Sequence, residues 1–389
     1  MRYFLKTFGC QQNTADSERI ATYYESRGYT PADREEDADT IVINTCVIRE
    51  RAAEKVFGLV RNLSALKETN PNLSFVITGC LIGAAIREPS GNMMKKLRAR
   101  LPEAQFLPLE EVGFEYAPKR TAGRIASIPI SNGCNNFCTY CIVPFSRGKE
   151  RSRAFEDIMR EVGESVASGC DEIFLLGQNV NSYGADFFMD ALGGRSESFR
   201  LPDGNTVKPV MVKHLNRHRI PTLFPHLLSA VAETPGVRKV SFMSSNPWDF
   251  SDELIEVIRS HTNIDRLIHL PVQSGSDDVL RRMNRWYSRE EYLTLLDAIR
   301  TSIPDVRFTT DIIVGFPSET LEDFEATIDL ARRAKFEKAY IAWYSPRPGT
   351  SAMKFPDDIP FPEKKRRWKE LDRIVNTFAY KQTINHPMI

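Results

Sequence analysis

The sequence lacks any apolar run near the ~18 residues that a membrane-spanning helix needs, and its start, MRYFLKTFGCQQN, has no long apolar centre of the secretory kind. A cytoplasmic protein is expected, with no membrane partner. Neither sign of charge is in excess. A formal net charge of +1 excludes a uniformly basic nucleic-acid binder and leaves only local patches for such contacts. Hydrophobic and charged contents of 42% and 26% are those of an ordinary soluble chain, so no disordered or fibrous class is called for. In a reducing compartment the seven cysteines have no disulfide framework to build and are read as metal ligands or catalytic groups.

At 389 residues the chain exceeds what one core usually fills, so two domains are expected. Residues 1–118 repeat one unit: YFLKTF, TIVINT and SFVITG are short apolar runs, the first two followed by helical periodicity, and AQFLPL is a possible fourth strand. This predicts a parallel-sheet α/β domain. A proline-containing basic connector, YAPKRTAGR, marks the boundary, with the linker placed at 119–127. Over residues 128–345 the alternation resumes with SIPIS, EIFLLG, KVSFMS, LIHLPV, RFTTDIIVG and KAYIAWYS, which predicts a partial (β/α)6 barrel with its chemistry at the C-terminal strand ends. Residues 185–222 interrupt the order with a glycine-rich piece and the basic run KHLNRHR, Lys213 to Arg219. A charged helical extension, 346–389, closes the sequence.

Cys134, Cys138 and Cys141 stand as C-x3-C-x2-C just after SIPIS. Three thiolates in one short loop can converge on an iron-sulfur cube and leave one iron open, to which the amino and carboxylate groups of S-adenosylmethionine are suited. A zinc knot would need a fourth ligand such as Cys170, which reads better as a buried apolar thiol. Cys10, Cys46 and Cys80 each follow a strand of the first domain. Strand ends of a parallel sheet share one edge, so these three predict a second cluster on a common rim.

TFGCQQNTADSERI, NTCVIRERAAEKVFG, CNNFCTYCIVPFSRGKERSR, LLGQNVNSYG, NPWDFSDELIEVI, HLPVQSGSDDVL, DIIVGFPSET and YSPRPGTSA together resemble the radical S-adenosylmethionine methylthiotransferases over nearly the whole chain. LLGQNVNSYG and CTYCIVPFSRG resemble the tRNA branch acting on isopentenylated adenosine. The resemblance implies two 4Fe-4S clusters: Cys134, Cys138 and Cys141 for the one that cleaves S-adenosylmethionine, and Cys10, Cys46 and Cys80 for the auxiliary one that handles sulfur. It implies Tyr140 near the adenine, Gln178 and Asn179 near the methionine moiety or substrate, and Gln273, Val314 and Phe316 along the nucleoside. It further implies a tRNA anticodon stem-loop as substrate, an electron donor such as flavodoxin or ferredoxin, and a monomer. The branch commonly carries a small C-terminal β-barrel, for which this sequence has no stretch; TGCLIG also replaces a more usual polar continuation.

Arg147, Lys149, Arg151 and Arg153 follow the cysteine loop at alternate positions, which places candidate phosphate contacts beside the reacting atom. The alternatives within the family are methylthiolation of threonylcarbamoyl adenosine or of a ribosomal-protein aspartate. From another class, a non-catalytic zinc protein that binds RNA is the alternative.

Overall fold

The structure is a computed structural model that describes residues 1–47, 50–120, 123–188, 197–214 and 218–379. Parts of the connector, the 185–222 interruption with its basic run, and the C-terminal extension therefore lie outside the described residues. Among the described residues, the first half of the chain forms a parallel sheet in the order Thr30–Pro31, β1 (Arg2–Phe8), β2 (Thr40–Thr45), β3 (Ser74–Gly79), β4 (Ala104–Leu107). β2 is buried along its whole length, as suits a central parallel strand built on Ile41, Val42 and Ile43. Helices α1 (Gln11–Glu25), α2 (Glu50–Leu63) and α3 (Cys80–Arg87) follow β1, β2 and β3.

The second half curls six parallel strands, counted among the described residues, into an open barrel: β5 (Ile125–Pro129), β6 (Glu172–Leu176), β7 (Lys239–Phe242), β8 (Leu267–His269), β9 (Arg307–Val314) and β10 (Lys338–Trp343). A bridge between Val240 and Ile264 joins the two three-stranded parts. All six runs read as strands in the sequence are strands here. β5 begins inside the stretch read as linker. Helices α4 (Phe155–Ala167), α5 (Phe224–Ala232), α6 (Asp252–Ser260), α7 (Arg289–Ser302) and α8 (Leu321–Ala334) cover the outside. They bury apolar residues at helical spacing, for example Leu293, Leu296 and Ile299. Each such side chain contributes about 1.5–3 kcal/mol. Helix α9 (Phe361–Ala379) packs on the open edge, and its Arg367 reaches the buried Glu319 carboxylate at 2.6 Å. The interruption between β6 and α5 contains an antiparallel hairpin, Val210–His214 with His218–Thr222.

The halves are joined tightly. Ile142 and Phe145, just past the cysteine loop, sit in the N-terminal core among Val56, Phe75 and Leu81. Gly83 of α3 meets that segment so closely that a Cβ there would lie 2.0 Å from the Ser146 carbonyl oxygen. The buried Glu161 carboxylate of α4 receives Arg19 of α1 at 2.7 Å, Arg153 at 2.8 Å and Arg120 of the connector.

Candidate functional site

The N-terminal cysteines are placed by register. Phe8, Thr45 and Gly79 stand side by side at the ends of β1, β2 and β3, so Cys46 and Cys80 occupy the next rung and Cys10 comes one residue later, after Gly9. Gly79 has φ +94°, and a Cβ there would lie 2.4 Å from both the Asn44 side-chain oxygen and the Thr45 carbonyl. Only glycine allows the strand end to turn that tightly. Asn44 is fully buried; its amide donates to the Asn13 carbonyl at 2.8 Å and to Ser17 Oγ at 2.9 Å, tying α1 to the strand ends. Asn13 Oδ1 in turn accepts the Cys10 thiol at 3.4 Å. Cys46 and Cys80 are buried and their thiols hydrogen-bond to one another; that bond first, and then burial, push the Cys80 thiol well up. Cys10 and Cys80 both stand at helix N-termini, where the dipole favours thiolates.

Cys134, Cys138 and Cys141 lie at the C-terminal mouth of the barrel, the first two buried and the third half-buried. Burial and then the neighbouring Cys138 push the Cys141 thiol up to about 12. Backbone N–H groups of Asn136 and Val143 point at the sulfurs of Cys134 and Cys141. Three thiols whose thiolates would repel one another, already offered N–H donors, suit a soft cationic cluster that binds them in the thiolate form. Among the described residues no three His, Cys, Asp or Glu side chains are close enough to share one metal ion. Zinc would need its thiolates about 2.3 Å from a single ion; a cube gives each thiolate its own iron. Cys170 is buried in the barrel core ahead of β6, donating to the Gly123 carbonyl at 3.4 Å, at the opposite end from the cysteine loop. The zinc knot using Cys170 is thereby excluded.

Several buried side-chain oxygens at this mouth have no protein partner: Ser131 Oγ, Asn136 Oδ1, Asn179 Oδ1, Asn181 Oδ1 and Ser245 Oγ. An unpaired buried oxygen costs about 1–3 kcal/mol, which a polar ligand relieves. Asn179 is held by Asp249 at 2.7 Å, and Gln178 accepts the Gly133 N–H at 2.6 Å beneath the cysteine loop. Gln273 has φ +72°, in the left-handed region that non-glycine residues occupy uncommonly. Val314 and Phe316 are fully buried, Phe316 packing in a small core with Met283, Tyr344 and the half-buried Tyr140; their side chains are structural, which leaves their backbone for any ligand.

The basic run needs correction. Lys149 and Arg151 are exposed, but Arg147 and Arg153 are buried and cannot meet a phosphate. Arg147 donates to Asp16 at 2.6 Å and Asn132 at 3.0 Å. It is an internal cation linking the loop after one cysteine trio to the rim that carries the other. Arg153 belongs to the Glu161 ion cluster and donates to the Pro129 carbonyl at 2.9 Å. Their burial is set by Asp16 and Glu161, one distant in sequence and the other inside the next helix, so a local reading of charge could not find it.

Sequence reasoning also missed the segment Arg282–Tyr287, which grips the cysteine loop from below. Thr139 N donates to the Met283 carbonyl at 3.0 Å, Asn284 Nδ2 to the Phe137 carbonyl at 3.1 Å, and Arg285 Nη1 to Cys138 Sγ at 3.7 Å. The signal was an arginine and an asparagine inside the otherwise hydrophobic string MNRWY. A surface cavity of about 510 Å³ between Arg238 and Arg307 lies at the other end of the barrel strands, where Lys239 pairs with Asp265 and Arg307 with Glu337.

Residues 128–331 match the family model of the Radical SAM superfamily, and residues 2–96 that of Uncharacterized protein family UPF0004. The chain is 40% identical over 406 residues to the tRNA-2-methylthio-N(6)-dimethylallyladenosine synthase of Geobacillus thermodenitrificans, covering 98% of this chain and 71% of the relative. It is 40% identical to the protein of that name from Carboxydothermus hydrogenoformans over 96% of this chain and 83% of the relative. Among solved structures, the radical S-adenosylmethionine methyltransferase TsrM from Kitasatospora setae superposes with a TM-score of 0.59 at 12% identity, over 90% of this chain and 76% of that one; at such identity the likeness concerns the fold alone. Two cysteine trios on two α/β units, a barrel of the radical type and this identity over nearly the full length lead to one statement: the chain belongs to the radical S-adenosylmethionine methylthiotransferases, the family of the tRNA-2-methylthio-N(6)-dimethylallyladenosine synthases.

Proposed function

We propose that this protein adds a methylthio group to carbon 2 of an N6-dimethylallyl-adenosine beside the tRNA anticodon. Residues 1–118 form the unit carrying Cys10, Cys46 and Cys80 for an auxiliary 4Fe-4S cluster, and residues 128–345 the unit carrying Cys134, Cys138 and Cys141 for the cluster that binds S-adenosylmethionine. The observation that supports this most is the joint between the trios: Arg147 follows the barrel trio by six positions and pairs at 2.6 Å with Asp16 of α1, the helix that Cys10 caps. When bound, the clusters and S-adenosylmethionine supply the radical, the methyl group and the sulfur that an unactivated adenine carbon requires.

The chain's own residues supply order. Gln178, Asn179 and the unpartnered Ser131, Asn181 and Ser245 oxygens hold polar groups of the cofactor at the barrel mouth. Gln273, held in its left-handed turn between the Asp311 carbonyl and the Ile313 N–H, directs its amide towards the nucleoside. Lys149 and Arg151 meet phosphates of a loop whose unstacked base reaches the mouth at low cost. Electrons come from a donor of the flavodoxin or ferredoxin kind.

The test is a competition assay with the anaerobically iron-loaded protein, S-adenosylmethionine and a reductant. Transcripts carrying dimethylallyl-adenosine or threonylcarbamoyl adenosine, and a ribosomal-protein aspartate substrate, are offered together. Mass spectrometry should find the methylthio group on the dimethylallyl nucleoside; its appearance on either competitor instead would contradict the proposal.

A further inference from the structure

Arg285 is 3% exposed, and its guanidinium is engaged on every side. Nη1 donates to Asn246 Oδ1 at 3.1 Å and faces Cys138 Sγ at 3.7 Å, Nη2 donates to the Pro271 carbonyl at 2.6 Å, and Nε meets the Tyr287 hydroxyl at 3.1 Å. The Trp248 ring stands 4.5 Å from its carbon centre. Every one of these partners except the sulfur is neutral at all ordinary pH. Among the described residues no carboxylate lies within ion-pair distance of Arg285, whereas the buried Arg19, Arg147, Arg153 and Arg367 each have one. A buried cation without an anionic partner is costly, by several kcal/mol, and a cluster held through Cys138 would place negative charge directly beside it.

The geometry points to Arg285 as a positioning residue for the barrel cluster, one that donates to the Cys138 sulfur and, as a fixed buried cation, favours the reduced form. The inference rests on the reading that Cys134, Cys138 and Cys141 hold that cluster. Hydrogen bonds to cluster sulfurs and local charge are among the quantities that set a cluster's reduction potential. Reduction adds one negative charge beside Arg285, so the cation and its N–H stabilise the reduced cluster more than the oxidised one. Asn246, Pro271 and Tyr287 fix the guanidinium plane, so the donor cannot swing away when the charge changes. In the auxiliary trio Arg147 has Asp16 at 2.6 Å to offset its charge, so the two sites differ in the net charge of their surroundings.

The test is a redox titration, followed by electron paramagnetic resonance, of the full chain carrying both clusters: wild type, Arg285→Gln, Arg285→Lys and Cys138→Ala. At a fixed potential Arg285→Gln should lower the ratio of reduced to oxidised barrel cluster about tenfold, equivalent to about 59 mV for one electron. Arg285→Lys, which keeps the charge and loses the planar donor, should fall between that and wild type, and the auxiliary signal should not move in either. A wild-type potential in an iron-replete Arg285→Gln would overturn the inference. So would loss of the cluster in Arg285→Gln alongside a wild-type potential in Arg285→Lys, which would make the residue a brace only, or an equal shift of both clusters. If the signal assigned to the barrel cluster persisted in Cys138→Ala, the assignment of the cysteines itself would fail, an outcome separate from an unmoved potential.

Discussion

The two cysteine trios are built in opposite ways. Cys134, Cys138 and Cys141 share one loop, so chain connectivity alone keeps them close and the fold has only to shape the loop through Arg282–Tyr287. Cys10, Cys46 and Cys80 come from three strands, and only the register that sets Phe8, Thr45 and Gly79 abreast brings them to one rim. Proximity of the first trio is set by chain connectivity, and that of the second by strand register. The auxiliary site therefore reports on the folding of the N-terminal sheet, while the barrel site reports on its loop and on the Arg282–Tyr287 segment that holds it.

Independence of the two sites fails most severely at the joint. Glu161→Gln leaves Arg19, Arg120 and Arg153 without their shared carboxylate, and removing one partner from a buried ion pair costs about 3–5 kcal/mol. Urea unfolding should show that loss, with the domains melting in separate steps where the wild type melts in one. A smaller change sets the sites apart. Gly79→Ala must place a Cβ 2.4 Å from a backbone oxygen at φ +94°, a cost of about 2–3 kcal/mol. Auxiliary iron should fall in that variant while the barrel cluster still forms; equal loss of both would contradict the separation.

Weaker effects are expected at the surface. Replacing Lys149 and Arg151 by alanine should weaken tRNA binding and reduce the slope of log affinity against log salt by about 0.7–0.9 for each phosphate no longer neutralised, with iron content unchanged. Arg153→Ala should act through stability instead, because that side chain is internal. Least of all, Asp171→Asn should change stability little at neutral pH. Hydrogen bonds from Arg124, and after them those from Arg238, hold the Asp171 carboxyl at about 2, so its small contribution is present above the usual carboxylate range and disappears as pH falls through about 2. A carboxyl titrating near its ordinary value in nuclear magnetic resonance would contradict that pairing.

Much of the architecture was legible because strands such as TIVINT and SFVITG are short segments built on apolar triplets, and their boundaries in the fold are those of the segments. Helix α3 was not recognised as regular. Leu81, Ile82, Gly83, Ala84 and Ala85 are all buried between the sheet and the Ser146 segment, so the helix has no polar face and no period to read. The two-residue strand Thr30–Pro31 exists only through its pairing with β1 and carries no signal of its own. The cysteines were legible because spacing and strand ends are local facts. Arg147, Arg153 and Arg285 were not, since their roles depend on partners that folding supplies: Asp16 lies 131 residues from Arg147, and Cys138 lies 147 residues from Arg285.

The proposed reaction stands or falls on each trio holding its own cluster and on both clusters being needed for methylthio transfer. Paired iron and product analysis of Cys46→Ala and Cys138→Ala decides it. Each variant should keep about half the iron of the wild type, given two clusters of one kind. Cys46→Ala should still form 5'-deoxyadenosine when reduced and Cys138→Ala should form none, while neither yields methylthiolated tRNA. A Cys46→Ala protein with full iron and methylthiolated tRNA as product would contradict the account.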